Sequence, residues 1–255
     1  MSQHIEISNS EGICTITLKR PDKKNALTRD MYDTMASVIR QAEYDSDMRI
    51  VVIIGAGNDF CAGNDMGDFL SRSREHYKSS AQELLLALAE TRVPLVAAIQ
   101  GRAIGIGTTM LTHCDFVYAE ADAQFSLPFV NLGLVPEAAS SQTLVQQAGY
   151  RKAAELLMLG EPFDAKTACD IGLINAISPV GEVHQTAMNT ARKLAAKSRT
   201  ALRQTKALMR RPSEPVRERM LTEIEIFRDL LFSDTTREII SAFMEKRAPD
   251  TSKID

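Results

Sequence analysis

The chain has 255 residues, of which 44% are hydrophobic and 25% are charged, and its formal net charge is −3. These proportions are typical of a globular protein that buries a core, as one large domain or two small ones. The slightly acidic balance argues against a duplex-DNA binder, and the lack of Trp argues against stacking platforms for single strands. We therefore expect no nucleic-acid partner.

The sequence also lacks the patterns of membrane insertion and of secretion. The longest apolar runs, such as Ile50 to Ile54, are too short to span a bilayer. The opening MSQHIEIS has no basic-then-apolar signal pattern. The four cysteines are scattered without a CxxC pair, which is typical of reduced thiols. We expect a cytoplasmic protein with no membrane partner and no metal site.

The first half of the chain alternates predicted strands and helices. Residues 4–8 and 13–19 alternate apolar and polar side chains around a Ser-Glu-Gly turn, which predicts an opening hairpin. Thr28 predicts the N-cap of an amphipathic helix. Apolar runs predict buried strands at 50–54, 95–99 and 116–118, with helices at 81–90 and 108–113 between them. This order predicts an α/β fold with a mostly parallel central sheet.

After about Pro136 the pattern becomes almost wholly helical. Helices are predicted at 140–148, 152–159, 165–171, 182–196, 200–209, 216–231 and 236–246. We divide the chain into an α/β core at 1–195 and a C-terminal helical region at 196–255. The helices from Val216 onward carry large apolar faces, which need either the core or a second subunit to cover them.

Several short motifs that mark common catalytic sites are incomplete or missing. Gly55-Ala56-Gly57 follows an apolar strand but lacks the third glycine of a dinucleotide-binding fingerprint. No GK[ST] or GxSxG sequence occurs, which argues against a P-loop and against a serine-hydrolase elbow. We interpret His113-Cys114 as a helix end that runs into a buried strand.

Two glycine-containing turns, at 55–66 and 101–108, each follow a buried strand and lead into a predicted helix. Small residues let a ligand approach the backbone, and unpaired N–H groups at two helix starts could form an oxyanion hole. On spacing alone, close-packed turns beneath a sheet are the simpler interpretation.

Glu137 is a third candidate feature. Pro136 suits the first position of a helix, which places Glu137 in the first turn. There its carboxylate would complement the helix dipole by about 0.3–1 kcal/mol, and this is the simpler interpretation. The functional alternative is a general base in an apolar pocket lined by Leu127, Phe129 and Leu134. The helix terminus would lower its pKa and burial would raise it.

Six segments, taken together in chain order, resemble the crotonase (enoyl-CoA hydratase/isomerase) superfamily over nearly the whole chain. The resemblance is carried by ICTITLKRP at 13–21, KNAL at 24–27, FCAGND at 60–65, PLVAAIQG at 94–101, CDF at 114–116 and FMEKR at 243–247. It implies an α/β fold, a crotonase-like spiral of ββα units with a C-terminal helical trimerisation region. It also implies an acyl-CoA thioester substrate and a homotrimer or dimer of trimers. No cofactor is implied, since the CoA is part of the substrate.

The resemblance further implies the roles of individual residues. Backbone N–H groups of Asn64 and Ile106 would hold the thioester oxygen, although the family usually has glycine where Ile106 stands, and this side chain would crowd the acyl pocket. The implied CoA-contacting residues are Lys24, Asn25, Ala26, Ala62, Gly63, Asp65 and Met66.

The choice of reaction depends on the carboxylates. Family hydratases carry two catalytic glutamates, at the positions of Thr109 and Phe129, and neither residue here is a carboxylate that could take those roles. Glu137 instead matches the catalytic glutamate of the peroxisomal-type 3,2-enoyl-CoA isomerase branch. We therefore expect an isomerase that moves a double bond through this one base. Weak hydratase activity, thioester hydrolysis and a non-catalytic CoA-thioester binding subunit remain open.

Overall fold

The computed structural model of the chain describes residues 2–70 and 80–255. Within them the strands are β1 (Ile5–Ser10), β2 (Ile13–Leu18), β3 (Ile50–Gly55), β4 (Leu95–Ile99), β5 (Arg102–Ile104), β6 (Phe116–Glu120), β7 (Gln124–Ser126), β8 (Phe163–Asp164) and β9 (Ala176–Ser178). The α-helices are α1 (Arg29–Ala42), α2 (Met66–Leu70), α3 (Ser80–Glu90), α4 (Ile106–Thr109), α5 (Ser140–Ala148), α6 (Tyr150–Ala154), α7 (Ala165–Asp170), α8 (Val183–Ala195), α9 (Arg199–Met209), α10 (Val216–Leu231) and α11 (Asp234–Met244).

A six-stranded sheet in the order β1-β2-β3-β4-β6-β9 forms the centre of the structure. β1 and β2 pair as the predicted antiparallel hairpin, and every other pairing in this sheet is parallel. The side chains of β4 are buried on both faces of the sheet, as its continuous apolar run predicts. The α/β prediction is confirmed.

A second sheet, in the order β5-β7-β8, was not predicted from the sequence. Its strands have two or three residues each, too few to show an alternation of apolar and polar side chains. β5 follows β4 after a two-residue turn, so the chain passes directly from the large sheet to the small one. This passage positions the glycine-containing turn at residues 101–108.

The predicted helices are confirmed, with changes at their ends. α1 begins after Thr28, although the Thr28 side chain makes no capping hydrogen bond. The helix predicted at 108–113 is α4 followed by a 3₁₀ turn, Met110–His113. The helix predicted at 152–159 is α6, which starts at Tyr150, followed by a π-helical turn at Glu155–Leu159.

The last helices are attached to the α/β core mainly by polar contacts of α9. The Lys206 ammonium lies 2.6 Å from Asp115 and also donates to Val93 O at 2.6 Å. α10 contributes no buried residue, and its Ile224 and Phe227 are 57% and 68% exposed. The apolar face predicted from Val216 onward is therefore uncovered in the single chain. No helix in the described part of the chain is both long and apolar enough to cross a membrane.

Candidate active site

The two glycine-containing turns lie side by side. Cys61 N–H donates to Arg102 O and Ile104 N–H donates to Cys61 O, both at 2.9 Å. A Cβ atom on Gly63 would lie 3.0 Å from Ile104 O, and one on Gly107 would lie 2.6 Å from Cys61 O. A side chain at either position would push the turns apart, so glycine is needed for their close approach.

This approach presents two backbone N–H groups, those of Asn64 and Ile106. Leu27 N–H donates to Gly63 O and Asp65 N–H donates to Leu27 O, at 2.8 and 2.9 Å. Because successive N–H groups of an extended segment point to opposite sides, Asn64 N–H points away from Leu27. Ile106 opens α4, where an N–H has no acceptor inside the helix. Neither group has an acceptor among the described residues.

A pocket of about 530 Å³ opens beside Asn64, between α3 and the loop that precedes α5. Its lining is mainly apolar and includes Leu85, Leu86 and Phe129. Glu137 supplies the one carboxylate that the described residues contribute to this lining. Of the three residues predicted to surround Glu137, Phe129 and Leu134 line the pocket, whereas Leu127 is fully buried and does not.

The prediction that Glu137 occupies the first turn of a helix is wrong. α5 begins at Ser140, and Ala138 and Ala139 have φ of 56° and 53°. Left-handed residues cannot be part of a right-handed helix, so Ala138 and Ala139 separate Glu137 from the first turn of α5. Glu137 therefore lies in a loop, and a helix-dipole role no longer accounts for its position.

His113 is the residue that the sequence reasoning missed. Instead of only ending a helix, it lines the same pocket as Glu137, and its Nε2 lies 2.8 Å from Ala138 O. His113 and Ala138 are 25 positions apart, so no local spacing pattern in the sequence could have predicted their contact.

The implied CoA-contacting residues lie on two neighbouring segments. Ala62 N–H donates to Lys24 O at 2.9 Å, which joins the segment around Lys24 to the turn before Asn64. Lys24 and Met66 are exposed, and Ala26, Ala62 and Asp65 are partly buried. Gly63 is buried against Ile104. Their contact with CoA remains a prediction.

Asp65 is paired within the protein. Its carboxylate lies 2.6 Å from Arg20 Nη1 and accepts the N–H of Gly67 at 3.0 Å. The hydrogen bond from Arg20 and those from backbone N–H groups hold the pKa of Asp65 below its ordinary value. The side chain therefore fixes the start of α2 next to the predicted CoA surface.

Asn25 is fully buried, and its side chain holds three backbone groups. Its Oδ1 accepts Arg20 N–H at 2.8 Å, and its Nδ2 donates to Ala56 O and Asp59 O at 2.9 and 2.7 Å. Its φ is 56°, a conformation that asparagine tolerates better than most residues. The side chain thus ties the turn at residues 20–25 to the end of β3.

We expect Asn25→Ala to lower the free energy of unfolding by about 3 kcal/mol, because three buried backbone groups lose their partner. This corresponds to a fall of roughly 6–12 °C in melting temperature, measurable by calorimetry. Lys23→Ala, in the same turn but exposed, should change stability by less than about 0.5 kcal/mol. An unchanged melting temperature with weakened CoA binding would instead make Asn25 a ligand contact.

The fold and the pocket together define a class of protein. Asn64, whose N–H has no acceptor among the described residues, lines an apolar pocket with one carboxylate, whereas Ile106, the other such residue, is fully buried and does not line this pocket. An unpaired N–H beside a carboxylate is suited to holding a carbonyl oxygen while a nearby carbon exchanges a proton. Residues 8–253 match the family model described as enoyl-CoA hydratase/isomerase, and the chain belongs to this family. The predicted crotonase-like spiral is thereby confirmed.

Three similar proteins illustrate the range of the family. A structure titled putative enoyl-CoA hydratase/carnithine racemase, from Magnetospirillum magneticum AMB-1, is 48% identical with a TM-score of 0.95, covering 99% of this chain and all of that one. The 2,3-dehydroadipyl-CoA hydratase of Escherichia coli K12 is 30% identical, covering 96% of each chain. Enoyl-CoA delta isomerase 2 of Rattus norvegicus is 38% identical over 70% of this chain and 47% of its own.

Proposed function

We propose that the protein is a 3,2-enoyl-CoA isomerase in which Glu137 is the single base. The observation that carries this proposal is the lining of the pocket, where the described residues supply one carboxylate, Glu137, next to Asn64. A double-bond shift needs one group that removes a proton and returns it to a nearby carbon.

In the proposed reaction the thioester oxygen of a 3-enoyl-CoA accepts hydrogen bonds from the N–H groups of Asn64 and Ile106. Glu137 removes a proton from the α carbon, and the electron pair of that C–H bond delocalises into a dienolate whose oxygen carries the charge. The two N–H groups stabilise this charge. Glu137 then returns the proton to the γ carbon, which gives the 2-enoyl-CoA. The reaction needs no cofactor besides the CoA of the substrate.

The residues at the two hydratase positions support isomerisation over hydration. Thr109 is fully buried, and Phe129 is 7% exposed and lines the pocket. Hydration needs a group that activates water and a group that protonates carbon, and a hydroxyl and a phenyl ring cannot share this work. The apolar ring of Phe129 also disfavours an ordered water at that position.

Hydration is the second candidate function, and the relatives favour it as much as the first. The Escherichia coli relative that matches over 96% of this chain is named a hydratase. The rat relative named an isomerase is more identical, at 38%, but matches over 70% of the chain.

We also propose a homotrimer or a dimer of trimers, with the α10 face as part of the interface. Met220, Ile224 and Phe227 recur at helical spacing on α10 and are 54%, 57% and 68% exposed. Burial of such a face against a second copy removes this apolar surface from water.

Wild-type protein should isomerise 3-hexenoyl-CoA much faster than it hydrates 2-hexenoyl-CoA. The measurement is product analysis after separate incubation with each thioester. Hydration as the faster reaction would refute the isomerase proposal. Binding of both thioesters without turnover, unchanged in Glu137→Ala, would favour a non-catalytic binding subunit.

A further inference from the structure

The loop that carries Glu137 has an uncommon backbone conformation. The φ angles of Ala138 and Ala139 are 56° and 53°. Alanine has no polar side chain to support the left-handed region, and each such residue costs on the order of 1–3 kcal/mol. Contacts around the loop must therefore hold it in place.

Hydrogen bonds to three successive carbonyl groups supply this support. The carbonyls of residues 137 and 139 accept N–H groups from the first turn of α5, which follows the loop directly. The middle carbonyl, Ala138 O, accepts from His113 Nε2 at 2.8 Å. This hydrogen bond ties the backbone of the loop to a different segment, the 3₁₀ turn that His113 ends.

His113 is itself anchored, and its surroundings disfavour the charged form of its ring. It ends a 3₁₀ turn, and its carbonyl accepts Arg210 Nη2 at 2.6 Å. Burial lowers the pKa of the imidazole; the hydrogen bond to Ala138 opposes this, and the charges of Arg210 and Lys206 add to the lowering. Since a carbonyl only accepts, Nε2 is protonated and donates in this hydrogen bond. The lowered pKa disfavours a positive charge on this ring.

We propose that His113 is a positioning residue, whose Nε2–H holds the Ala138 carbonyl and thereby fixes the Glu137 carboxylate in the pocket. This inference rests on the isomerase function proposed above. Without this hydrogen bond, the two left-handed alanines relax and the carboxylate moves. A displacement of about 1 Å between reacting groups costs up to about 10²-fold in rate. Substrate binding depends on the N–H pair and the apolar lining, so it changes less.

Three substitutions at one position test this role. His113→Leu removes the donor and keeps an apolar side chain of similar bulk. His113→Asn keeps an amide donor that is too short to reach Ala138 O, whereas the longer His113→Gln reaches it. We expect kcat for 3-hexenoyl-CoA to fall about 10- to 100-fold in the Leu and Asn variants with KM nearly unchanged, and to recover in the Gln variant. Thr112→Val, in the same turn, is the matched control and should keep the wild-type kcat.

Two results would overturn the proposal while the isomerase function stands. One is a wild-type kcat in folded His113→Asn. The other is equal loss in the Asn and Gln variants. If wild type does not isomerise the substrate, the proposed function fails first, and crystal structures of wild type and His113→Asn then decide the positioning role. The positioning role is refuted if Ala138, Ala139 and the Glu137 carboxylate keep their positions in the variant. It is supported if they are displaced.

Discussion

Glu137→Gln is expected to abolish most isomerisation while the protein still binds acyl-CoA. The amide has nearly the same shape as the carboxylate but cannot accept the α proton. General acid–base catalysis contributes about 10²–10⁴-fold, and here one group performs both transfers, so kcat should fall by at least that factor. The measurement is steady-state turnover of 3-hexenoyl-CoA, with binding followed separately by calorimetry.

Glu161→Gln is the matched control, because Glu161 is an exposed glutamate that does not line the pocket. It should keep the wild-type rate. Near-normal isomerisation by Glu137→Gln would remove Glu137 from the mechanism and leave the described pocket without its proposed base.

The second large effect is expected for Ile106→Pro. Proline has no N–H, so the substitution deletes one of the two proposed donors to the thioester oxygen. Proline suits the first residue of a helix, which is the position of Ile106 in α4. Ile106 is also fully buried, so the substitution removes core packing as well as the N–H, and the fold of the variant must be checked. Loss of one such donor lowers kcat by roughly 10²–10³-fold.

Ile106→Val keeps the N–H and should retain most of the activity. Asn64→Ala should also have a modest effect on kcat, because the proposed donor is the backbone N–H, which the substitution keeps. The Asn64 side chain accepts a hydrogen bond from the Tyr32 hydroxyl at 2.8 Å. Circular dichroism must show that Ile106→Pro is folded. Normal turnover by the folded variant would mean that Ile106 N–H does not hold the oxygen.

The parts of the fold that were predicted from sequence are those with long, uniform patterns. β3 and β4 are continuous apolar runs, and α10 has the predicted bounds, because many residues report the same periodicity. β8 has two residues and carries no such signal. Its existence depends on pairing with β7, which the local sequence does not encode.

In the candidate site, too, some features were predicted from the sequence and others were not. The glycines at 63 and 107 marked the two turns, since close backbone approach requires a residue without a side chain. The loop at Glu137 was wrongly predicted as the first turn of a helix, because alanine favours helices and the sequence does not indicate the left-handed conformation of Ala138 and Ala139. The contact of His113 with this loop arises only from the tertiary fold.

The close contact between Gly63 and Ile104 O has a consequence for how new reactions arise in such a scaffold. The proposed oxygen-binding groups belong to the peptide backbone, so their geometry survives replacement of most surrounding side chains. Mutation can then exchange or relocate the acidic residue of the pocket without removing the backbone groups that are proposed to polarise the thioester. If the proposed N–H groups hold the substrate, few substitutions suffice to change the reaction, because each intermediate keeps the backbone that presents these groups.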